Sequence, residues 1–376
     1  GDRLDVADID ARFMTAALSL ARTGLGTTWP NPSVGTLIIR ETPRGRAIVG
    51  RGVTMPGGRP HAETQALSEA GEGARGATAY VTLEPCSHYG RTGPCTDALI
   101  AAGVNRVVSA MEDPDPRVAG RGHARLADAG VSVAIGTEGK VAERVNAGHV
   151  SRIRRGRPHV QLKLAVSGDG FIAGVGGKTQ QITGPLAGDR VHMMRAGADA
   201  IMVGRGTIEA DDPRLTCRLP GMADRSPVRV IVDSDLNVSP RAAIFADVET
   251  NPVWLICGEH APSERESTLQ VAGASVIRVQ TGEDGHVHLP FALAALAARG
   301  ITRLMVEGGA HLAASLFRGN LVDEAVIFRA PTVKIGQGVP ALATGDLGTT
   351  LGQSRYRVLS DETVGADIMT RYWRQS

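Results

Sequence analysis

The residues of this chain best suited to chemistry are His61-Ala62-Glu63, Glu84-Pro85-Cys86 and Cys95. One imidazole and two thiolates would hold a zinc ion and leave its fourth position open, which a catalytic site needs for water. Water held there loses a proton near neutral pH and becomes a nucleophile for an electron-poor ring carbon that bears an amino group. Glu63 need not share a helix face with His61, so it is free to carry the protons. Cys95 is expected to open a helix, whose positive end favours a thiolate. Two plainer readings exist. His61 could cap a helix beside two unrelated thiols, but five residues would then have to coincide at element junctions. A closed structural zinc site would need a fourth ligand, for which His88 is the candidate.

A second set of residues suggests a nucleotide. Val203-Gly204-Arg205-Gly206-Thr207 and Val306-Glu307-Gly308-Gly309-Ala310-His311-Leu312 each run from an apolar strand through glycines into a helix. Such junctions let backbone N–H groups approach phosphates. Neither is a complete Gly-x-Gly-x-x-Gly, and a tight turn would explain either one alone. Together they favour a nucleotide cofactor.

The elements that must position these residues follow from periodicity. Asp8–Arg22 reads as an amphipathic helix with Ile9, Phe13, Ala16, Ala17 and Leu20 on its apolar face. Strands are expected at 34–39, 47–49, 77–83, 105–111 and 131–135, with helices at 61–70, 95–102 and 122–129. This alternation defines a layered α/β domain over residues 1–150. The basic, Gly/Pro-punctuated stretch 151–158 reads as a solvated linker. Residues 159–376 form a second α/β domain with seven expected strands, at 159–166, 200–203, 228–232, 253–256, 275–279, 303–306 and 324–328.

Composition narrows the function. A chain of 376 residues suits about two domains. With 41 basic and 39 acidic side chains the formal charge is +2, and aromatic residues make up 3%. A broad positive field and stacking rings are what nucleic-acid binding uses, so no nucleic-acid partner is expected. The opening residues, beginning Gly1-Asp2-Arg3-Leu4, show no apolar leader, and no stretch approaches the ~20 apolar residues of a membrane span. A cytoplasmic homo-oligomer acting on a small molecule is expected. Four cysteines in this length favour ligands or buried thiols over disulfides; Cys217 and Cys257 read as buried thiols.

His-x-Glu followed by Pro-Cys and a later Cys is the signature of zinc deaminases, except that eight residues, Ser87–Pro94, replace the usual two. Read with Pro30-Asn31-Pro32-Ser33-Val34-Gly35, Pro60-His61-Ala62-Glu63 and Tyr80–Leu99, the N-terminal half closely resembles the bifunctional diaminohydroxyphosphoribosylaminopyrimidine deaminase/aminouracil reductases of bacterial riboflavin biosynthesis, whose deaminase has this long spacing. Lys163–Gly170, Thr179–Gly184, Arg195, Asp199-Ala200, Thr207 and Asp211–Arg218 resemble the reductase domain of the same family, so the likeness runs from about Ala7 to Arg371. It implies a cytidine-deaminase-like α/β/α domain followed by a dihydrofolate-reductase-like α/β domain.

The resemblance also implies roles. Zinc would be held by His61, Cys86 and Cys95, with Glu63 as catalytic proton shuttle and Asn31 on the pyrimidine edge. NADPH would meet Ala165, Gln181, Thr207, Asp211, Ser234 and the turn Gly309, Ala310, His311, Leu312 (continuing to Ser315). Lys163, Thr179, Arg195, Leu215, Arg218 and Glu307 would meet a phosphoribosyl pyrimidine, whose phosphate suits guanidinium groups. In a dinucleotide-binding fold Asp233 would favour NAD, whereas this family selects NADP through a neighbouring Ser, here Ser234. Four residues depart from the family pattern: Thr54 for His, Asp115 for Asn, Gln181 for Trp and Gly168 for Leu. The rival enzyme reading is a nucleoside or tRNA deaminase with an appended nucleotide-binding module. A zinc-stabilised scaffold that binds nucleotide without turnover is the non-enzymatic rival.

Overall fold

The computed structural model describes residues 5–90, 93–352 and 354–376; Arg91 and Thr92 of the Cys86–Cys95 loop lie outside them, as do Gly1–Leu4. The chain divides into two compact units, Gly1–Gly156 and Arg157–Ser376.

The first unit runs α1 (Val6–Thr23), β1 (Gly35–Thr42), β2 (Gly45–Val53), α2 (Ala62–Ala70), β3 (Thr78–Val81), α3 (Cys95–Ala101), β4 (Arg106–Ser109), α4 (Arg121–Asp128), β5 (Ser132–Ile135), α5 (Gly139–Val145) and α6 (Ala147–Arg155). Its sheet has the order β2-β1-β3-β4-β5. Strand alternation sends Leu37 and Ile39 into one core, with Met14 and Leu18 of α1 and Val145 of α5. Ile38 points into the other, with Ala66, Leu99 and Leu126 from α2, α3 and α4. Cores on both faces make three layers.

Two expectations need correction here. The buried stripe of α1 is Asp10, Met14, Ala17, Leu18 and Ala21, turned one residue from the apolar face read in the sequence. Asp10 can lie inside because its carboxylate accepts from Tyr80 Oη at 2.7 Å and from Arg106 at 2.9 and 2.7 Å. Residues 151–155 are not a connector: they complete α6, with Ser151 fully buried, and the helix ends at Gly156 in a left-handed conformation (φ 66°). The left-handed glycine, not the run of charge, marks the junction.

In the second unit come β6 (His159–Ser167), β7 (Phe171–Gly174), α7 (Pro185–Ala196), β8 (Ala200–Gly204), α8 (Arg205–Asp211), β9 (Val228–Val232), β10 (Val253–Gly258), α9 (Ser263–Val271), β11 (Ser275–Val279), α10 (Leu289–Ala298), β12 (Arg303–Glu307), α11 (Ala310–Arg318), β13 (Glu324–Ala330), β14 (Gly338–Pro340), α12 (Leu347–Leu351), β15 (Tyr356–Val364) and β16 (Asp367–Arg374). Its large sheet has the order β11-β10-β9-β8-β12-β6-β13-β16-β15. The seven expected strands are its parallel part, and their near-continuous apolar sequences suit burial on both faces. The antiparallel β15–β16 hairpin was not expected, because Arg357, Ser360, Asp361 and Glu362 interrupt any apolar run. Gly365, at φ 63°, turns it.

Candidate active sites

In the first unit His61 ends an extended segment and caps α2, Cys86 follows β3, and Cys95 is the first residue of α3. Their ligand atoms lie within 4.8 Å of one another. His61 Nδ1 is 3.3 Å from Cys95 Sγ and 3.9 Å from Cys86 Sγ. The Cys95 backbone N–H donates to Cys86 Sγ at 3.3 Å. His88 is exposed and is not part of this group among the described residues, so the three-ligand arrangement stands there without it.

The electrostatics of the trio suit a cation. The Cys95 thiol hydrogen-bonds to Cys86 and draws the Cys86 thiol down to about 4, while the same contact pushes Cys95 up. Two sulfurs this close cannot both ionise without a positive charge between them, and a divalent soft-ligand metal supplies one. The donor set of one nitrogen and two sulfurs therefore fits zinc with an open position. Glu63 is buried against this group, and desolvation raises its carboxyl above the usual carboxylate range, with the Cys86 sulfur adding to the effect. A carboxyl raised in this way suits proton transfer near neutral pH.

Elsewhere in this unit, neighbouring loops are tied tightly. Asn31 is half-buried, and its side chain lies over Gly58, where a Cβ would be 2.1 Å from Asn31 Nδ2; Gly58 has φ +90°. Thr54 faces the backbone: its hydroxyl accepts from the Val34 N–H at 2.9 Å. The Asp115 carboxylate is bound by the Arg117 side chain at 2.8 to 3.2 Å, which holds its pKa at about 2.

Glu84, read in the sequence only as part of a motif, has a distinct task. Its buried carboxylate accepts from the backbone N–H groups of Asp113, Gly120, Gly122 and His123, at 2.9, 3.0, 2.8 and 3.3 Å. Gly122 packs so closely that a Cβ there would be 2.1 Å from the Pro85 carbonyl oxygen. No local sequence signal could reveal this, because the partners stand 29 to 39 residues away.

In the second unit Lys163 and Glu307 stand in register on β6 and β12. Lys163 Nζ is 3.6 Å from Glu307 Oε1, and Arg195 of α7 pairs with Glu307 at 3.0 and 3.2 Å. Burial works to raise the Glu307 carboxyl, but Arg195 and Lys163 outweigh it and hold it below the ordinary value. Arg218 joins through Thr216, whose hydroxyl accepts from Arg218 at 3.1 Å while its carbonyl accepts from Arg195 at 3.0 Å. Thr179 lies apart from this cluster in its bonds, donating to Asp211 and to the Ala210 carbonyl; Thr179 and Asp211 are both exposed.

Leu215 is expected among the residues that meet the substrate. Its side chain is in the hydrophobic core, and its backbone has φ 60°. The surrounding loop is pinned along its length. Asp212 accepts from the Ala243 N–H at 2.8 Å, and the Arg214 carbonyl accepts at 3.0 Å from Arg229, which is fully buried. The Cys217 N–H donates to Ser226 Oγ, and the Arg218 N–H to His192 Nδ1, both at 2.9 Å. Arg229, His192 and Thr216 escaped sequence reading, since each acts on a residue at least two positions away through a fold-dependent contact.

The two glycine junctions meet. They follow the neighbouring strands β8 and β12, and a Cβ on Gly308 (φ +109°) would lie 2.5 Å from Thr207 Oγ1. At Gly309 that oxygen is 3.9 Å from the Cβ position, so the turn stays open. Gly309 caps α11; Ala310 is buried, Leu312 half-buried and His311 exposed. On the far side of β8, Ser234 follows β9 and accepts from the Val287 N–H at 3.0 Å. Ala165 packs at the margin of the core, and Gln181 is exposed. At Gly168 a Cβ would meet the Pro331 carbonyl oxygen at 2.4 Å, so a larger residue would need the chain there to move. An open backbone turn at the start of α11, with the Thr207 hydroxyl beside it, fits the phosphates of a dinucleotide.

Residues 7–111 match the cytidine and deoxycytidylate deaminase zinc-binding region, and residues 158–370 match the RibD C-terminal domain. Fold and sites together define a two-domain enzyme, a deaminase joined to a reductase. Riboflavin biosynthesis protein RibD of Escherichia coli is 41% identical over 89% of this chain and 91% of its own, and that of Haemophilus influenzae is 39% identical over 98% of each. Acinetobacter baumannii RibD superposes with TM-score 0.84 at 34% identity, covering 98% of this chain and 100% of its own. A Thermotoga maritima diaminohydroxyphosphoribosylaminopyrimidine deaminase/5-amino-6-(5-phosphoribosylamino)uracil reductase superposes with TM-score 0.83 at 30% identity, covering 99% and 100%. The chain belongs to the RibD family of bifunctional deaminase/reductases of riboflavin biosynthesis. A nucleoside or tRNA deaminase with a mere binding module is thus not favoured, since the second half is that family's reductase domain. No helix among the described residues is long and apolar enough to cross a membrane.

Proposed function

We propose that the first unit deaminates 2,5-diamino-6-(5-phosphoribosylamino)pyrimidin-4(3H)-one, and that the second reduces the ribosyl group of the resulting 5-amino-6-(5-phosphoribosylamino)uracil to ribityl with NADPH. The observation that carries this reading is the convergence of His61, Cys86 and Cys95 within 4.8 Å, with buried Glu63 beside them. These three residues would hold one zinc ion per chain, which when bound supplies an acidified water. Glu63 takes up a proton from the attacking side and returns it to the departing 2-amino group, which leaves as ammonia. Asn31 orients the pyrimidine.

In the reductase, Lys163, Arg195, Glu307, Thr179 and Arg218 would bind the sugar phosphate, with Leu215 contributing backbone. Ala165, Gln181, Thr207, Asp211, Ser234 and Gly309–Leu312 would line the cofactor, with NADPH preferred over NADH. The cofactor brings the hydride, and positioning it against the sugar C1′ carbon provides most of the rate. No protein nucleophile is required. Replacing Glu63 with Ala should lower ammonia release by about 10²–10⁴-fold and leave NADPH oxidation on the deaminated substrate intact. Equal loss of both activities would overturn the assignment of separate sites.

A further inference from the structure

His192 lies on α7 one turn before Arg195, on the same helix face. Its Nδ1 accepts the Arg218 backbone N–H at 2.9 Å, so that nitrogen carries no hydrogen. A neutral imidazole must then carry its hydrogen on Nε2. Burial, and then the Arg195 and Arg218 guanidiniums, lower the His192 pKa and favour this neutral form. His192 is half-buried; a hydrogen bond with the Thr216 backbone works against that lowering, and no side-chain partner of Nε2 is found among the described residues.

The charge around this donor is unbalanced. Lys163 and Arg195 share the single carboxylate of Glu307, while the Arg218 side chain bonds to the neutral Thr216 hydroxyl. Burial, and then the charges of Arg195 and Arg214, lower the Arg218 pKa. Such a surplus of cations is completed by a multiply charged anion.

We infer that His192 is a further substrate-binding residue of the reductase, donating Nε2–H to a phosphoryl oxygen of the sugar-phosphate substrate beside Arg218. The inference rests on the reading of this unit as the reductase of a phosphoribosyl compound. His192 thus fixes the Arg218 backbone through one nitrogen and meets the anion through the other.

Three variants of the full chain separate these tasks. His192→Leu removes both contacts. His192→Asn keeps an acceptor near the Arg218 N–H but places nothing at the Nε2 position, whereas His192→Gln reaches that position with an amide N–H. Kinetics with NADPH and the phosphoribosylaminouracil should show KM raised about tenfold or more in the Leu and Asn variants, with kcat little changed, and partial recovery in the Gln variant. Competitive inhibition by ribose 5-phosphate should weaken in step, and KM for the dephosphorylated nucleoside should stay put. A wild-type-like Asn variant, or an equal KM rise for the nucleoside, would overturn the inference. Absence of turnover by the wild-type chain would instead remove the functional reading beneath it.

Discussion

A Cβ on Gly52 would lie 1.9 Å from the carbonyl oxygen of Ala62, so strand β2 and helix α2 meet backbone to backbone. Gly50 repeats the contact one turn along, at 2.1 Å from the Ala66 oxygen. This close approach sets the start of α2, and with it His61 and Glu63, against the sheet. Replacing Gly52 with Ala leaves no flexible atom to yield, so α2 must shift, at a cost of about 1–3 kcal/mol. Thermal unfolding should show the loss, with reduced zinc content and ammonia release but normal NADPH oxidation. A Gly52→Ala protein with full zinc and full deaminase rate would refute this account of the contact.

Glu84 predicts a different defect. Changing it to Gln puts an amide donor among four backbone donors, and hydrogen bonds to a charged group are worth roughly 1.5–3 kcal/mol. The loop from Asp113 to His123 should loosen, lowering deaminase kcat/KM by at least about tenfold. Zinc should remain bound, because Glu84 is not among the grouped ligands. Metal analysis beside ammonia kinetics checks both halves of this expectation.

Glu307 makes stability depend on pH. Its folded pKa is depressed, so its stabilising effect is present above the unfolded value of about 4.3 and is lost as pH falls below that value towards the folded one. Urea unfolding of the wild type and Glu307→Gln, followed by the tryptophan fluorescence to which Trp254 and Trp373 of this unit contribute, should show a wide stability gap at pH 6 that narrows below about pH 4.3. A gap that widens on acidification has the wrong sign.

Metal removal should separate the units. Treatment with a strong chelator is expected to abolish ammonia release while NADPH oxidation on the deaminated substrate continues, and added zinc should restore the first activity. Parallel loss of both would mean that the metal supports the whole chain.

Much of this was legible in the residues themselves. His61, Glu63, Cys86 and Cys95 sit at junctions that local patterns mark, and apolar runs located the seven parallel strands. These signals survive in one dimension because helix and strand periodicities, and the glycines that interrupt them, act over a few neighbouring residues.

Other features required distant chain segments to meet. Asp10 is buried only because Tyr80 and Arg106 close over it, and Ser151–Arg155 is helix although its composition reads as linker. Thr207 beneath Gly308, Glu84 among four N–H groups, and His192 beneath Arg218 likewise depend on which strands become neighbours. The sequence by itself determined the chemistry and the repeating elements. Only the tertiary structure decided which polar groups satisfy one another, because burying a charge is tolerable only where packing brings it a partner.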